Sequence, residues 1–178
     1  LILCVGGSAS VDGGTGALRE MGLTIVNNSP NRNYITDIKE INAELLQQRF
    51  NGIHITILCD VDNPICGPKG AAPVFAPQKG ASPEQVVMLD KQLGLWSDLL
   101  RQNTGKDVTR LRHGGAAGGI TAAMYALLNA QLVSGSEYCL TLSRFHDYLL
   151  QAGVVITGEG KIDLQSFYGK IPGTIANF

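Results

Sequence analysis

Charged side chains follow an apolar run near the end of the sequence, and their types are those that bind anions and metals. The run at residues 154–157 is rich in β-branched residues and is bounded by glycines, a pattern that predicts a buried strand. Glu159, Asp163 and Lys170 come after it. Because open α/β sheets bind ligands beyond the carboxyl ends of their strands, we expect anion handling here, together with a metal. The alternative is a strand-end turn whose charges are merely solvated.

A second pair of acids follows the apolar run at residues 53–59, which also has the character of a buried strand. Asp60 and Asp62 are two residues apart, so in extended backbone they would point the same way. Together they could share a hard cation with the phosphates of a nucleotide. An Asx-type turn before Pro64 explains the same residues without a ligand.

A glycine-rich loop at residues 6–16 separates a predicted strand, residues 1–5, from a predicted helix at 17–21. Backbone amides at such a helix start can bind a phosphate or carboxylate, which makes Gly6, Gly7, Ser8 and Asp12 candidate ligand-binding residues. The loop matches neither the nucleotide-binding G-x-x-x-x-G-K-[ST] pattern nor the dinucleotide fingerprint. A tight strand-to-helix turn is the alternative.

Two further segments could line a site. Small residues at 114–119, including Gly118 and Gly119, precede an alanine-rich helix that we expect to run to about residue 132. Either a ligand or another backbone could lie against them, and close packing explains them as well as binding does. Lys79 lies beside glycine in a proline-rich segment at 66–81, and long irregular loops within compact domains are usually functional.

The remaining pattern predicts an α/β fold, with a mixed or parallel sheet and helices on its faces. A capping box at Ser82–Gln85 begins a helix that should end by Gly105, with Trp96 in the core. His113 and His146 lack a metal-ligand partner at suitable spacing, so we expect them on the surface or on helix faces. Other predicted elements are a strand at 23–26, a helix at 35–50, a strand at 137–142 and a short helix at 143–150.

Length, charge and cysteine content limit the classes of protein. The 178 residues suffice for one domain with a real core, and a net charge of −1 favours neither a nucleic-acid nor a membrane-surface partner. The four cysteines have no CxxC spacing, which favours a reducing cytoplasm. The sequence contains neither an apolar run of about 20 residues nor a signal-peptide pattern. Because it opens within a strand and lacks an initiator methionine, we expect a piece of a longer protein.

Five blocks of sequence, taken in order, carry a resemblance to a known family. They are residues 6–14, residues 59–64 with Gly67 and Pro68, residues 74–81, residues 115–119, and residues 156–160 with Asp163, Gln165, Gly169, Lys170 and Pro172. These blocks resemble the bacterial-type (class I) glycerate kinases, and the chain corresponds to the central portion of such an enzyme.

The resemblance implies ATP- and Mg2+-dependent phosphorylation of D-glycerate in glycerate catabolism, giving 2-phosphoglycerate or, as the other possibility, 3-phosphoglycerate. It also implies two α/β domains around a cleft, one Rossmann-like and one a mixed α/β insert. Residues 1–178 would form one α/β domain, with a return segment of the second near 154–178. Taken alone, the chain should be inactive, and whether the protein forms a homodimer stays open.

Roles for the candidate residues follow as hypotheses, because phosphoryl transfer depends on positioning and charge neutralisation. The catalytic candidates are Asp60, Glu159, Asp163 and Lys170. The candidates for binding substrate or phosphate are Gly6, Gly7, Ser8, Asp12, Lys79, Gly118 and Gly119. The candidate Mg2+ ligands are Asp60, Asp62 and Glu159.

Two rival functions stay open. A non-catalytic anion-binding α/β module would use the glycine loops but would not need acids at two strand ends. A metal-assisted phosphatase would use the acids, although the sequence has no evident nucleophile with a partnered base.

Overall fold

The computed structural model describes residues 1–29, 35–158, 160 and 171–176 of the chain. Its strands are β1 (Ile2–Cys4), β2 (Thr24–Asn27), β3 (Ile38–Asn42), β4 (Thr56–Cys59) and β5 (Gln131–Ser134). Its helices are α1 (Thr15–Met21), α2 (Glu44–Arg49), α3 (Ala71–Phe75), α4 (Pro83–Thr104), α5 (Ile120–Leu128), α6 (Gly135–Leu142), α7 (Phe145–Leu149) and α8 (Ile171–Ala176). Short 3-10 turns lie at Ile35–Asp37, Pro77–Lys79 and Ala116–Gly119.

Three strands form a parallel sheet in the order β1-β4-β5. Leu3 pairs with Ile57, and Ile57 pairs with Leu132. The central strand β4 is the most buried of the three, which accounts for its continuous apolar sequence. Because all three strands run the same way, the residues that follow Cys4, Cys59 and Ser134 emerge at one edge of the sheet. The expected α/β fold with a parallel sheet is confirmed.

The long helix α4 joins the core to the glycine-rich loop. The Ser82 side chain accepts a hydrogen bond from the backbone N–H of Gln85 and the Gln85 side chain accepts one from Ser82, so the predicted capping box is confirmed. Trp96 is buried, as expected, and its indole N–H donates to the Gly13 carbonyl oxygen over 3.2 Å. The helix thus fixes the loop by packing and by a hydrogen bond.

The predicted helix at residues 35–50 is wrong for most of its length. Its first half forms β3, which pairs antiparallel with β2 through Ile25 and Ile41, and helix formation is confined to α2. The spacing of the isoleucines fits a helix, but pairing with β2 provides hydrogen-bond partners for the backbone of a whole strand. The Asn42 side chain then accepts a hydrogen bond from the Glu44 N–H at the start of α2.

The predicted strand at residues 137–142 is also wrong, because this segment forms most of α6. Ser134 provides the helix start, since its hydroxyl accepts a hydrogen bond from the Glu137 N–H. The third strand of the sheet is β5. It begins at Gln131, inside the helix that the sequence predicted to run to about residue 132. That helix, α5, ends at Leu128 because Asn129 adopts a left-handed conformation.

The apolar run at residues 154–157 forms no strand, contrary to the sequence-based prediction. Val154 is 79% exposed and Ile156 is 93% exposed. Among the described residues no strand pairs with this run, so its backbone has no ladder partner and its side chains are not covered. Glu159, Asp163 and Lys170, which the sequence places after the run, lie outside the described residues.

Within the part of the chain that the structure describes, no helix has both the length and the apolar character needed to cross a membrane.

Candidate active site

A cavity of about 180 Å³ lies at the carboxyl edge of the sheet, where β1 and β4 end side by side. A Cβ atom placed on Gly6 would lie 3.8 Å from Oδ2 of Asp60, so the end of β1 lies close beside the end of β4. Six of the candidate residues line this cavity: Gly6, Gly7, Ser8, Asp60, Lys79 and Gly118. The structure therefore brings together residues from four separate segments of the sequence.

Lys79 is positioned by a short helical stretch within the segment that the sequence indicated to be irregular. Helix α3 and the 3-10 turn Pro77–Lys79 carry its side chain over the glycine-rich loop. Its ammonium group donates to the Ser8 hydroxyl over 3.1 Å and to the Ser10 carbonyl oxygen over 2.7 Å. Burial lowers the pKa of Lys79, while the negative charge of Asp12 acts in the opposite direction. The ammonium is therefore a partly desolvated cation at the cavity wall.

Asp12 shapes the loop before α1. One carboxylate oxygen accepts from the Gly14 N–H over 3.1 Å, and the other accepts from the Gly16 N–H over 3.1 Å. These bonds use amides that the sequence analysis identified as candidates for binding an external anion. Asp12 lines neighbouring cavities and is absent from the lining of the strand-end cavity. Its assignment to substrate binding stays a prediction.

Gly118 and Gly119 allow a close approach between two loops. Gly118 has φ 73°, and a Cβ atom there would collide with the Ser10 carbonyl oxygen. The Gly13 N–H donates to the Gly118 carbonyl oxygen over 2.9 Å. A Cβ atom on Gly119 would lie only 3.2 Å from the Gly13 Cα atom. Close packing therefore requires both glycines, and Gly118 also lines the cavity.

The two acids after β4 have different surroundings. Asp62 accepts from Arg112 through Nε over 3.0 Å and through Nη2 over 3.3 Å, and this hydrogen bonding raises the pKa of Arg112. Asp60 is exposed and accepts no hydrogen bond from another described residue. Its carboxylate oxygens are thus available to a ligand, whereas those of Asp62 are engaged by a guanidinium group.

The described residues contain no group of three or more His, Cys, Asp or Glu side chains arranged to hold a metal ion. Mg2+ in phosphoryl-transfer sites is usually held by one or two carboxylates and by phosphate oxygens, with water completing its shell. Asp60 fits this requirement as a single protein ligand. The structure leaves the Mg2+ role of Asp62 and Glu159 as predictions.

His113 is not on the surface or a helix face, as the sequence suggested, because it is only 5% exposed. Its Nδ1–H donates to the Val61 carbonyl oxygen over 2.7 Å, and Nδ1 lies 3.3 Å from Oδ1 of Asp62. The Thr121 hydroxyl donates to the His113 carbonyl oxygen over 2.6 Å. His113 therefore fixes the segment after β4 to the start of α5, and its position directly before a glycine block was the one available sequence signal.

Cys59, the last residue of β4, is buried beside the two acids. Burial raises the pKa of its thiol to about 12, and the charges of Asp60 and Asp62 act in the same direction. The thiol is thus protonated at neutral pH and is a poor nucleophile.

The fold and the candidate site define a class: an α/β protein with a cavity at the carboxyl edge of a parallel sheet, where a carboxylate, an ammonium group and glycine-rich loops meet. The model of the glycerate kinase family matches residues 1–178. The chain belongs to the glycerate kinase family.

Individual relatives agree with this assignment. The chain is 38% identical to a glycerate kinase of Halalkalibacterium halodurans over 99% of its own length and 48% of that protein. It is 36% identical to the glycerate 2-kinase of Escherichia coli K12 over 99% of its length and 48% of that protein.

A crystal structure of a protein provisionally named glycerate kinase 2 from Salmonella typhimurium LT2 superimposes with a TM-score of 0.81 at 38% identity. It matches 99% of this chain and 49% of that chain. The chain therefore spans about half the length of the relatives it matches.

Proposed function

We propose that the complete protein transfers the γ-phosphoryl group of Mg2+–ATP to D-glycerate and releases ADP and 2-phosphoglycerate. The observation that carries the proposal is the convergence of Asp60, Lys79 and the Gly6–Ser8 backbone on one cavity at the sheet edge. Membership of the glycerate kinase family supports the substrate. The relative named glycerate 2-kinase favours the 2-phospho product over the 3-phospho product.

Each group has a distinct role in the proposed reaction. The Asp60 carboxylate accepts the proton of the attacking glycerate hydroxyl. The hydroxyl oxygen forms a bond to the γ-phosphorus, the bond from that phosphorus to the β-phosphate oxygen breaks, and ADP leaves. The Lys79 ammonium neutralises charge on the transferring group, and the backbone amides of the glycine-rich loop orient an anionic oxygen.

Bound Mg2+ would supply charge neutralisation at the phosphates of the donor. One oxygen of the Asp60 carboxylate would hold the ion, and the other would accept the proton. Glu159, Asp163 and Lys170 keep their proposed catalytic roles. The two-domain cleft of the complete protein also stays a proposal.

A metal-assisted phosphatase is the second candidate that the acids allow. Covalent phosphatase chemistry requires an activated nucleophile, and the thiol nearest to Asp60 belongs to Cys59, whose raised pKa keeps it protonated. The Asp60 carboxylate needs no partnered base to act as a nucleophile, so the choice rests on membership of the glycerate kinase family. The transferase is therefore favoured.

The decisive experiment is an assay of the complete protein with D-glycerate, ATP and Mg2+. We expect ADP and a phosphoglycerate to form in equal amounts, and phosphorus NMR of the product to show phosphate on the 2-hydroxyl. Matched reactions without glycerate or with L-glycerate should release little ADP. Hydrolysis of phosphoglycerate in place of its synthesis would identify the phosphatase, and binding of glycerate without turnover would identify the non-catalytic module.

A further inference from the structure

A larger cavity of about 740 Å³ shares Lys79 in its lining with the strand-end cavity. Its walls include the apolar side chains of Val11, Ile35, Met88 and Leu89. The volume falls within the range of about 300–1,000 Å³ that is usual for small-molecule sites. We propose that this cavity binds the adenine and ribose of the phosphoryl donor, an inference that rests on the proposed kinase function.

The principal observation is a buried polar side chain without a protein partner. Gln92 of α4 is only 6% exposed and lines the cavity. Its carboxamide forms no hydrogen bond with another described residue. Among the described residues, every side-chain nitrogen or oxygen that is fully enclosed has a hydrogen-bond partner. The carboxamide of Gln92 is therefore not fully enclosed, and it must reach the cavity that this residue lines. The cavity is therefore where this carboxamide finds its hydrogen-bond partners, and the polar edge of a bound ligand can take the place of water there.

A carboxamide is suited to the edge of adenine. It carries a donor and an acceptor side by side, and in nucleic-acid recognition it pairs with the N6 amino group and N7 of adenine. Gln85 lies two helical turns earlier on the same face of α4 and also lines the cavity. The carboxamide oxygen of Gln85 accepts a hydrogen bond from the Ser82 N–H, so the amino group of that carboxamide stays available to donate to a ligand. The apolar walls would cover the two faces of the base.

The position of Lys79 connects the two cavities. Lys79 lines both, and with Asp12 it accounts for the charged side chains that line the larger one. A nucleotide bound with its base beside Gln92 would therefore extend its phosphates towards the Lys79 ammonium and on to Asp60. D-Glycerate fits the larger cavity poorly, because a three-carbon acid would leave most of its volume of about 740 Å³ unfilled.

The test compares Gln92→Leu with Gln102→Leu in the complete protein. Gln102 is an exposed glutamine of the same helix that does not line the cavity. We expect Gln92→Leu to raise the KM for ATP by about 10- to 100-fold relative to the KM for D-glycerate, and to reduce the preference for ATP over GTP. Gln102→Leu should leave both ratios as in the wild type. A selective rise in the KM for D-glycerate would overturn the proposal.

Met88→Glu provides a second variant if Gln92→Leu does not fold. Met88 is 48% exposed at the cavity wall, so this position should tolerate a polar side chain. The carboxylate of the introduced glutamate would repel the nucleotide. The control is Leu95→Glu, because Leu95 is 53% exposed on the same helix and does not line the cavity. The KM for ATP should rise in the first variant and stay near the wild-type value in the second. Equal KM values in both variants would contradict the proposal.

Equilibrium binding of adenosine separates this inference from the kinase function. Adenosine lacks phosphates, and the fluorescence of Trp96, the single tryptophan, can report its binding one turn from Gln92. Adenosine binding that Gln92→Leu weakens at least 10-fold would support the site even without glycerate turnover. Turnover of glycerate in a protein for which adenosine neither binds nor competes with ATP would overturn the inference and leave the proposed function intact.

Discussion

The two cavities beside Lys79 differ in what their walls offer a ligand. Lys79 lines both cavities, but the strand-end cavity adds Asp60 and a glycine-rich backbone, whereas the larger cavity adds Asp12, two carboxamides and a majority of apolar side chains. A polar cavity suits an acid substrate and a transferring phosphate, and an apolar cavity suits a base. In the proposed function, the reaction takes place in the strand-end cavity and the base of the donor binds in the larger one, with Lys79 lining both.

The substitution with the largest expected effect tests the strand-end cavity alone. Asp60→Asn removes the proposed proton acceptor and keeps nearly the same shape, so kcat should fall by about 10²- to 10⁴-fold with ATP affinity nearly unchanged. Steady-state kinetics of the complete protein would measure it. Asp98→Asn, which alters an exposed acid paired with Arg101, is the control and should retain activity. An unchanged kcat in Asp60→Asn would remove Asp60 from the mechanism.

Substitution of Lys79 should affect both the strand-end cavity and the larger cavity. Lys79→Met removes the cation that lines both cavities, so kcat/KM should fall about 100-fold whichever substrate is varied. A fall confined to one substrate would assign Lys79 to one cavity.

The pH profile offers a milder test of the same residue. Because burial lowers the pKa of Lys79, its charge is lost as pH rises through a value below that of an ordinary lysine. The alkaline limb of kcat/KM should therefore begin early in the wild type. In Lys79→Arg, whose guanidinium keeps its charge, the limb should move to higher pH. Identical alkaline limbs in the two proteins would contradict a role for the Lys79 charge.

A stability measurement tests whether packed loops form the wall of the polar cavity. Gly118 and Gly105 have φ 73° and φ 74°, but only a Cβ atom at Gly118 would meet neighbouring atoms. Gly105→Ala should cost about 1 kcal/mol of unfolding free energy from backbone strain, and Gly118→Ala should cost about 2–4 kcal/mol because the contact adds to the strain. Urea denaturation of both variants measures the difference. Equal losses would mean that the loops are not tightly packed.

The smallest effect concerns the thiol behind the acids. The folded-state pKa of Cys59 is about 12, above its ordinary value of 9.0, so the folded state keeps a proton that the unfolded chain loses. Cys59 therefore contributes stability below pH 9 that is lost as pH rises from about 9 to about 12. Unfolding free energies across that window should fall more steeply in the wild type than in Cys59→Ala. Parallel curves would show that the thiol titrates normally in the folded protein.

Much of the fold follows from local sequence, but some elements depend on distant partners. The capping box at Ser82 is local and was predicted correctly. The apolar run at 53–59 is also local, and its last four residues form β4. The strand β3 is not local, because its isoleucines fit a helix until β2 is available to pair with it. The exposed run at 154–157 shows the converse, since a strand-like sequence forms no strand without a neighbour.

The candidate site divides in the same way. Positions after predicted strands identified Asp60 and Gly6 as candidates, and the irregular proline-rich segment identified Lys79. The parallel strands and the turn at Pro77–Lys79 bring the three to one cavity. Sequence could not reveal the buried state of His113 or the unpartnered carboxamide of Gln92, because both depend on packing between distant segments.

The contact between Gly118 and the Ser10 carbonyl oxygen has a consequence for engineering and for evolution. The loop that contains Ser10 and the loop that contains Gly118 cannot be lengthened or transplanted into another scaffold independently, because each is packed against the other. A designer who grafts the glycine-rich loop must include both segments, and a substitution in one should be tolerated only together with a compensating substitution in the other.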